Sequence, residues 1–242
     1  MIKNIQIVGG NSDIGFSVAK KFAENGFDIH LISKNLINLQ KKKDLIEKEY
    51  SVQCKITELD IEISKQVELF FKSEQSKVSI IIMAVGYLEK DEVNKSKITN
   101  LNYKSLADYI DKALIHYGED KDLKTIIGIS SVAGDRKNNK VSTYAFSKAC
   151  FSNYLNDLRK KLFQKEINVI TVKPGYVRTK MTKGLKLPNI LVSKPDQIGN
   201  IIYNSYLKNK RIIFAPSYWR IIMFVYNIIP SFILKILNNL RR

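Results

Sequence analysis

Short apolar runs recur along this chain, separated by segments with a helical repeat. Ile2 to Val8, Asp28 to Ser33, Cys54 to Leu59, Val78 to Ala84, Thr125 to Ile129, Ile167 to Val172 and Ile212 to Ala215 each read as a strand. Between them lie an amphipathic stretch through Phe16, Val18, Ala19, Phe22 and Ala23, a charged stretch at Lys41 to Tyr50, and Ser64 to Phe71. Asn100 to Ile115 and a run from Tyr144 to about Phe163 complete the helical set. Strands alternating with helices at a spacing of about thirty residues predict an α/β fold with a doubly wound parallel sheet of Rossmann type. Right-handed crossovers bring the carboxyl ends of all such strands to one edge.

The residues that follow the strands are therefore expected together. The first strand runs into Gly9-Gly10-Asn11-Ser12-Asp13-Ile14-Gly15 and then a helix. Glycines let backbone approach a pyrophosphate, and a helix N-terminus supplies N–H donors and positive dipole. The second strand ends in Ser33-Lys34-Asn35. A hydroxyl and a cation suit a ribose 2′-phosphate better than a free 2′-hydroxyl, so NADP(H) is favoured and NAD(H) stays open. Asp60 and Ile61 follow the third strand, where an acid can meet an adenine amino group, and Ala84-Val85-Gly86 follow the fourth. Pro174, Gly175, Val177 and Thr179 follow the sixth, with Thr179 placed to reach a carboxamide or pyrophosphate.

Candidate chemistry enters with Ser131, Tyr144 and Lys148. Four residues separate Tyr144 from Lys148, which puts both on one helix face. An ammonium beside a phenol lowers its pKa from about 10 and makes it a usable general acid. Ser131, ending the fifth strand, can hold a carbonyl oxygen beside that phenol. Alone, a Tyr and Lys pair of this kind is usually a solvated helix face; the glycine turn raises the catalytic reading greatly. Asn102, mid-helix, is either a surface residue or the holder of a water linked to Lys148.

The chain has 242 residues, enough for one domain with a full core. Two cysteines, Cys54 and Cys150, and two histidines, His30 and His116, form no disulfide framework and no metal-ligand spacing. The cysteines read as reduced thiols of a cytosolic protein, and no signal peptide is apparent. The net charge of +17 suits an anionic partner, although no nucleic-acid signature accompanies it.

Taken together, these motifs resemble the short-chain dehydrogenase/reductases over nearly the full length. The resemblance implies a catalytic tetrad of Asn102, Ser131, Tyr144 and Lys148, with Tyr144 as proton donor, and a homo-oligomer. Two departures stand out: Asp13 replaces a glycine of the usual turn, and Met83-Ala84-Val85-Gly86 replaces the usual Asn-Asn/Ala-Gly signature. Residues 9–15, 130–136, 178–181 and the tail from Ala215-Pro216 are similar to reductase subunits of decaprenylphosphoryl-ribose 2-epimerases. That narrower likeness implies a polyprenyl-phosphate-linked 2-keto-furanose substrate and a flavin-dependent oxidase partner. A lipid-ketone reductase and a non-catalytic nucleotide binder of the same fold remain as alternatives.

The reading divides the chain into a Rossmann domain at 1–215 and an apolar, basic helical tail at 216–242. Arg220, Asn227, Pro230 and Lys235 interrupt the tail, which falls short of the roughly 20 apolar residues of a membrane span. Two short apolar helices with Trp219, aromatic neighbours and Arg241-Arg242 suit either the inner face of a membrane or a core or dimer contact.

Overall fold

The computed structural model describes residues 3–89, 93–118, 122–136 and 142–229. Seven strands form one parallel sheet: β1 (Asn4–Val8), β2 (Asp28–Ser33), β3 (Cys54–Glu58), β4 (Ile80–Met83), β5 (Thr125–Ile129), β6 (Asn168–Pro174) and, after two short strands, β9 (Ile212–Ala215). Their order is β3-β2-β1-β4-β5-β6-β9, with every pairing parallel. The short strands β7 (Tyr176–Val177) and β8 (Val192–Ser193) pair apart from the sheet. The strand order reverses between β1 and β4, and the crevice outside their carboxyl ends is where such sheets bind ligands.

Side-chain alternation splits the core between the two sheet faces. Ile5, Ile7, Ile80 and Ile82 pack on one side with Phe22 of α1 (Asp13–Ala23), Leu39 of α2 (Leu36–Glu49) and Ile202 of α7 (Pro195–Leu207). Val8, Ile81 and Met83 pack on the other with Val67 of α3 (Ser64–Ser73), Tyr109 of α5 (Ser105–Tyr117) and Phe151 of α6 (Thr143–Lys161). A short helix α4 (Lys95–Thr99) and a π-helical turn, Asn100–Lys104, precede α5. A third cluster joins Trp219 and Met223 of α8 (Trp219–Ile228) to Val132, Tyr176, Leu191 and Phe214.

Among the elements that differ from the sequence expectation are two helices of the first face. α2 starts at Leu36 rather than Lys41, because the Asn35 side chain caps it by accepting from the Asn38 N–H at 2.9 Å and Leu39 is fully buried. α7 has no counterpart among the expected elements. Pro195 at its first position and Ile198, Ile202 and Tyr203 on one face were signals for it. It packs close to α1: a Cβ on Gly199 would lie 2.6 Å from Ser17 Oγ, and that hydroxyl donates to Asp196 at 2.9 Å. The part of the expected tail from Pro230 onward, including Lys235 and Arg241-Arg242, lies outside the described residues.

One buried polar network sits inside the second face. Tyr109 donates to Gln6 Oε1 at 2.6 Å, Gln6 Nε2 donates to Tyr117 at 3.2 Å, and His30 Nε2 lies 2.8 Å from Thr57 Oγ1. Glu74, held by Lys55 at 2.8 Å, lies 3.7 Å from His30 Nδ1. Burial pushes the His30 pKa from 6.5 down to about 4, outweighing the pull of the Glu74 charge. The unfolded chain therefore takes up a proton near pH 6.5 that the folded chain refuses until about pH 4. The stabilisation is complete above pH 6.5 and is lost as pH falls toward 4. Urea titrations from pH 6.5 to 5 are expected to show a loss of roughly 1–2 kcal/mol. A His30→Gln variant is expected to lack that slope; an unchanged slope would locate the acid sensitivity elsewhere.

Candidate active site

Two neighbouring cavities lie along the carboxyl edge of the sheet. The larger, about 260 Å³, is bordered by Asn11, Ser12, Asp13 and Ile14 of the first turn and by Ala84, Val85 and Gly86 after β4. Ser131, Tyr144 and Lys148 form its inner wall, and Pro174, Gly175, Val177 and Thr179 close it from β6 onward. The smaller, about 160 Å³, takes in Gly9, Ser33, Lys34, Asp60 and Ile61, and shares Ser12 and Ala84 to Gly86 with the first. The expected site residues thus converge, with three exceptions. Gly15 sits inside the first turn of α1, Asn35 spends its side chain capping α2, and Asn102 stands behind the wall.

The turn after β1 is shaped by backbone contact. Gly9 has φ +91°, and a Cβ there would lie 2.7 Å from the Ala84 carbonyl carbon and oxygen. Gly15 faces the Gly9 carbonyl, with a built Cβ only 2.5 Å away. Ser12 caps α1, its Oγ accepting from the Gly15 N–H at 2.9 Å. Asp13, the departure from the usual glycine, reaches across the cavity mouth, where its Oδ2 accepts from the Lys180 N–H at 2.7 Å. The first turn is thereby fastened to the segment after β7, where Thr179 caps a short 3₁₀ turn. Asn11 Nδ2 donates to the Asn35 carbonyl at 2.9 Å, while its Oδ1 is buried without a hydrogen bond.

The catalytic candidates are set by α6 and by the loop after β5. Ser131 caps the short turn Val132–Asp135 by accepting from the Ala133 N–H at 3.1 Å, which leaves its own proton for another acceptor. A hydrogen bond links Ser131 to Tyr144. Lys148 is buried, and its ammonium donates to the Ile129 carbonyl at 3.1 Å. Burial pulls its pKa from 10.5 down to about 8.

The structure corrects one electrostatic expectation. Desolvation raises the Tyr144 pKa, and the opposing influence is the Ser131 hydrogen bond rather than Lys148. The ammonium is turned toward Ile129 O, so it does not set the phenol's ionisation in this arrangement. The phenol stays protonated at neutral pH, the state a proton donor requires.

The structure gives Asn102 a different setting from the expected one. It sits in a π-helical turn rather than mid α-helix and is fully buried. Its Oδ1 accepts from the Tyr87 N–H at 2.7 Å, and its Nδ2 donates to the Tyr87 carbonyl at 2.8 Å and to Ser147 Oγ at 3.1 Å. Ser147 in turn donates to the Tyr144 carbonyl at 2.8 Å. Both amide protons are spent, so the side chain staples the loop after β4 to the Tyr144 turn of α6. Ser147, three residues after Tyr144, was not among the expected residues; its position on the same helical repeat was the available signal.

Lys34 lies 3.9 Å from both Asp60 and Glu62. Its cation is shared with two carboxylates, which tempers the pull it offers an anion. A second unforeseen contributor is Trp219. A Cβ on Gly175 would lie 1.8 Å from the indole Nε1, so α8 packs directly under the Pro174-Gly175 turn that closes the cavity.

Comparison with known proteins fits this geometry. The sequence profile of the short chain dehydrogenases matches residues 3–189. The chain belongs to the short-chain dehydrogenase family. As a family member it is an NAD(P)-dependent oxidoreductase. It is 28% identical over 193 residues to a 3-oxoacyl-(acyl-carrier-protein) reductase from Chlamydia trachomatis, covering 76% of this chain and 77% of the relative. Among solved structures, a short-chain dehydrogenase from Sphingobium yanoikuyae in complex with NADPH superposes with a TM-score of 0.78 at 20% identity, over 88% of this chain and 87% of that one. Pseudomonas aeruginosa RhlG in an NADP active-site complex gives 0.77 at 17% identity, over 90% and 96%. These likenesses fall on the short-chain dehydrogenase fold and not on the epimerase subunits as such.

Proposed function

We propose that this short-chain dehydrogenase uses NADP(H) to reduce a ketone on a polyprenyl-phosphate-linked furanose, at the cytoplasmic face of the membrane. The ketone would come from a separate flavin-dependent oxidase, and the pair of steps would invert one carbinol centre. The observation that carries the reductase reading is the convergence of Ser131, protonated Tyr144 and buried Lys148 on one cavity wall. The lipid-linked sugar rests on the residues matched in 9–15, 130–136 and 178–181 and on the apolar, basic C-terminal region.

The residues present suit a nicotinamide dinucleotide. Gly9 brings the first turn against Ala84, two cavities run on from one another, and Asn11 Oδ1 is buried without a hydrogen bond. Lys34, Ser33, Asp60 and Ile61 would hold the adenosine end, and Asn11 to Ile14 with Thr179 the pyrophosphate. Lys148, Pro174, Gly175 and Val177 would hold the nicotinamide end. NADP(H) is preferred because Lys34 and Ser33 end β2, and two similar folds are solved with NADPH or NADP. When bound, the nucleotide would supply hydride for the carbonyl carbon. Ser131 donates to the carbonyl oxygen and fixes it beside Tyr144, which passes its proton to that oxygen as the alcohol forms.

A second reading has its own support. The Chlamydia relative is a reductase of 3-oxoacyl chains, so an acyl ketone is the rival substrate. The test supplies NADPH or NADH carrying deuterium at the transferable position, native membranes and an oxidase that makes keto-sugar lipids. Mass spectrometry then locates the label. Deuterium in a polyprenyl-phosphate sugar, from NADPH ahead of NADH, is the expected result. Label in acyl lipids would replace the sugar reading with the rival.

A further inference from the structure

The outer face of α8 has a spacing that core packing does not require. Trp219 and Met223 turn inward, and Ile222 and Tyr226 pack beside them on the third cluster. The remaining apolar residues, Ile221, Phe224, Val225 and Ile228, fall at i, i+3, i+4 and i+7 and form one solvent-facing stripe. Ile221, Phe224 and Ile228 are 68%, 67% and 63% exposed. Ile190, 91% exposed, extends the stripe: its neighbour Leu191 joins the cluster under α8 and accepts a hydrogen bond from the Tyr218 hydroxyl at 3.5 Å. A contiguous exposed apolar surface of this kind marks an interaction site.

Charge decides what covers it. Residues 167–242 hold thirteen Lys and Arg and a single acid, Asp196. That third of the chain thus carries +12 of the net +17. No Asp or Glu occurs after Asp196, and residues 230–242 continue with Phe232, Ile233, Leu234, Lys235, Ile236, Leu237, Arg241 and Arg242. Arg220 on α8 itself, and Arg178, Lys183 and Lys186 in the segment that leads to Ile190 and Leu191, are all exposed. An apolar ridge on a strongly cationic part of the chain complements an anionic bilayer: apolar side chains enter the acyl boundary while Lys and Arg meet the headgroups. The same charge opposes a second copy, since two such faces would repel. No helix among the described residues is long and apolar enough to cross a membrane, so contact would be interfacial.

We propose that the exposed face of α8, with Ile190 and the surrounding Lys and Arg side chains, docks this protein on an anionic membrane surface. The helix that carries the docked face adjoins the site, because its inward residue Trp219 lies directly under Gly175 of the cavity wall. A polar headgroup could enter the cavity while its lipid chain stays in the bilayer. The inference deepens the lipid-linked reading and rests on it for its purpose, whereas its test needs no substrate.

The full chain is mixed with vesicles of phosphatidylcholine alone, or with an equal part of phosphatidylglycerol, and sedimented at low and high salt. Binding to the anionic vesicles that weakens with salt is expected. The double variant Phe224→Glu, Ile228→Glu is expected to bind at least about tenfold more weakly. Both positions are exposed and neither lines the cavity, so the variant should keep its circular dichroism, its melting temperature and its NADPH affinity. Absence of vesicle binding would overturn the proposal, as would binding indifferent to phosphatidylglycerol or to the double variant. A dimer that dissociates in the variant, without vesicle binding, would assign the face to a second copy and overturn it as well. If vesicle binding holds and no keto-sugar lipid is reduced, the docking surface stands and the substrate reading falls.

Discussion

Replacing Tyr144 with Phe is expected to lower the rate of carbonyl reduction by about 10²–10⁴-fold while leaving NADPH affinity within about threefold of wild type. The reaction needs a proton at the carbonyl oxygen as hydride reaches the carbon. Tyr144 carries it: burial raises its pKa, so the phenol is protonated across the neutral range, and Ser131 is hydrogen-bonded to it. The substitution removes one oxygen and no packing volume of note. Its backbone carbonyl still accepts from Ser147, so the Asn102 staple survives. Steady-state rates on a reducible ketone, set against NADPH binding followed by fluorescence, separate the two effects. Turnover within tenfold of wild type would remove Tyr144 from the proton-donor role. An equal loss of NADPH affinity would make it a binding residue instead.

Gly9→Ala is expected to cost a large part of the domain's stability. Gly9 sits at φ +91°, outside the range L side chains adopt readily, and such strain costs about 1–3 kcal/mol. The added Cβ would also lie 2.7 Å from two backbone atoms of Ala84 and 2.8 Å from the Val85 nitrogen. Those atoms follow β4, which is hydrogen-bonded to β1 and β5, so they have little room to withdraw. Overpacking of this kind adds roughly 1–3 kcal/mol. A combined loss of roughly 2–6 kcal/mol is large against the 5–15 kcal/mol that holds a typical domain. Urea titration of the variant is expected to show a lowered midpoint with an unchanged slope. NADPH affinity should fall too, because the turn that meets the pyrophosphate must move. A variant as stable as wild type would show that the turn is free to relax.

Much of the fold was legible because its signals are local. Strands buried on both faces read as continuous apolar runs, as at Ile80 to Met83, and a glycine turn between a strand and a helix has few other uses. The edge position of Ser131, Lys34, Asp60 and Pro174 follows from strand order and handedness alone, without a single contact being known. The Tyr144 and Lys148 pairing follows from helical repeat.

What the chain alone did not disclose depends on partners distant in sequence. Asp13 and Lys180 are 167 residues apart, and no local pattern joins a first-turn acid to the N–H of a segment that follows β7. Trp219 meets Gly175 through packing of α8 on the body, and the reason that position must be glycine is the indole itself. Asn102 read as helical because a π turn differs from an α turn by one residue of hydrogen-bond spacing, which side-chain periodicity does not resolve. Helical spacing ties the ionisation of Tyr144 to its neighbour at i+4, yet it is governed by desolvation and by where the Lys148 ammonium points. Sequence by itself determined which chemical groups reach one edge of one sheet. Only the tertiary structure decided how they are wired there, because burial and long-range hydrogen bonds exist only once the chain has closed on itself.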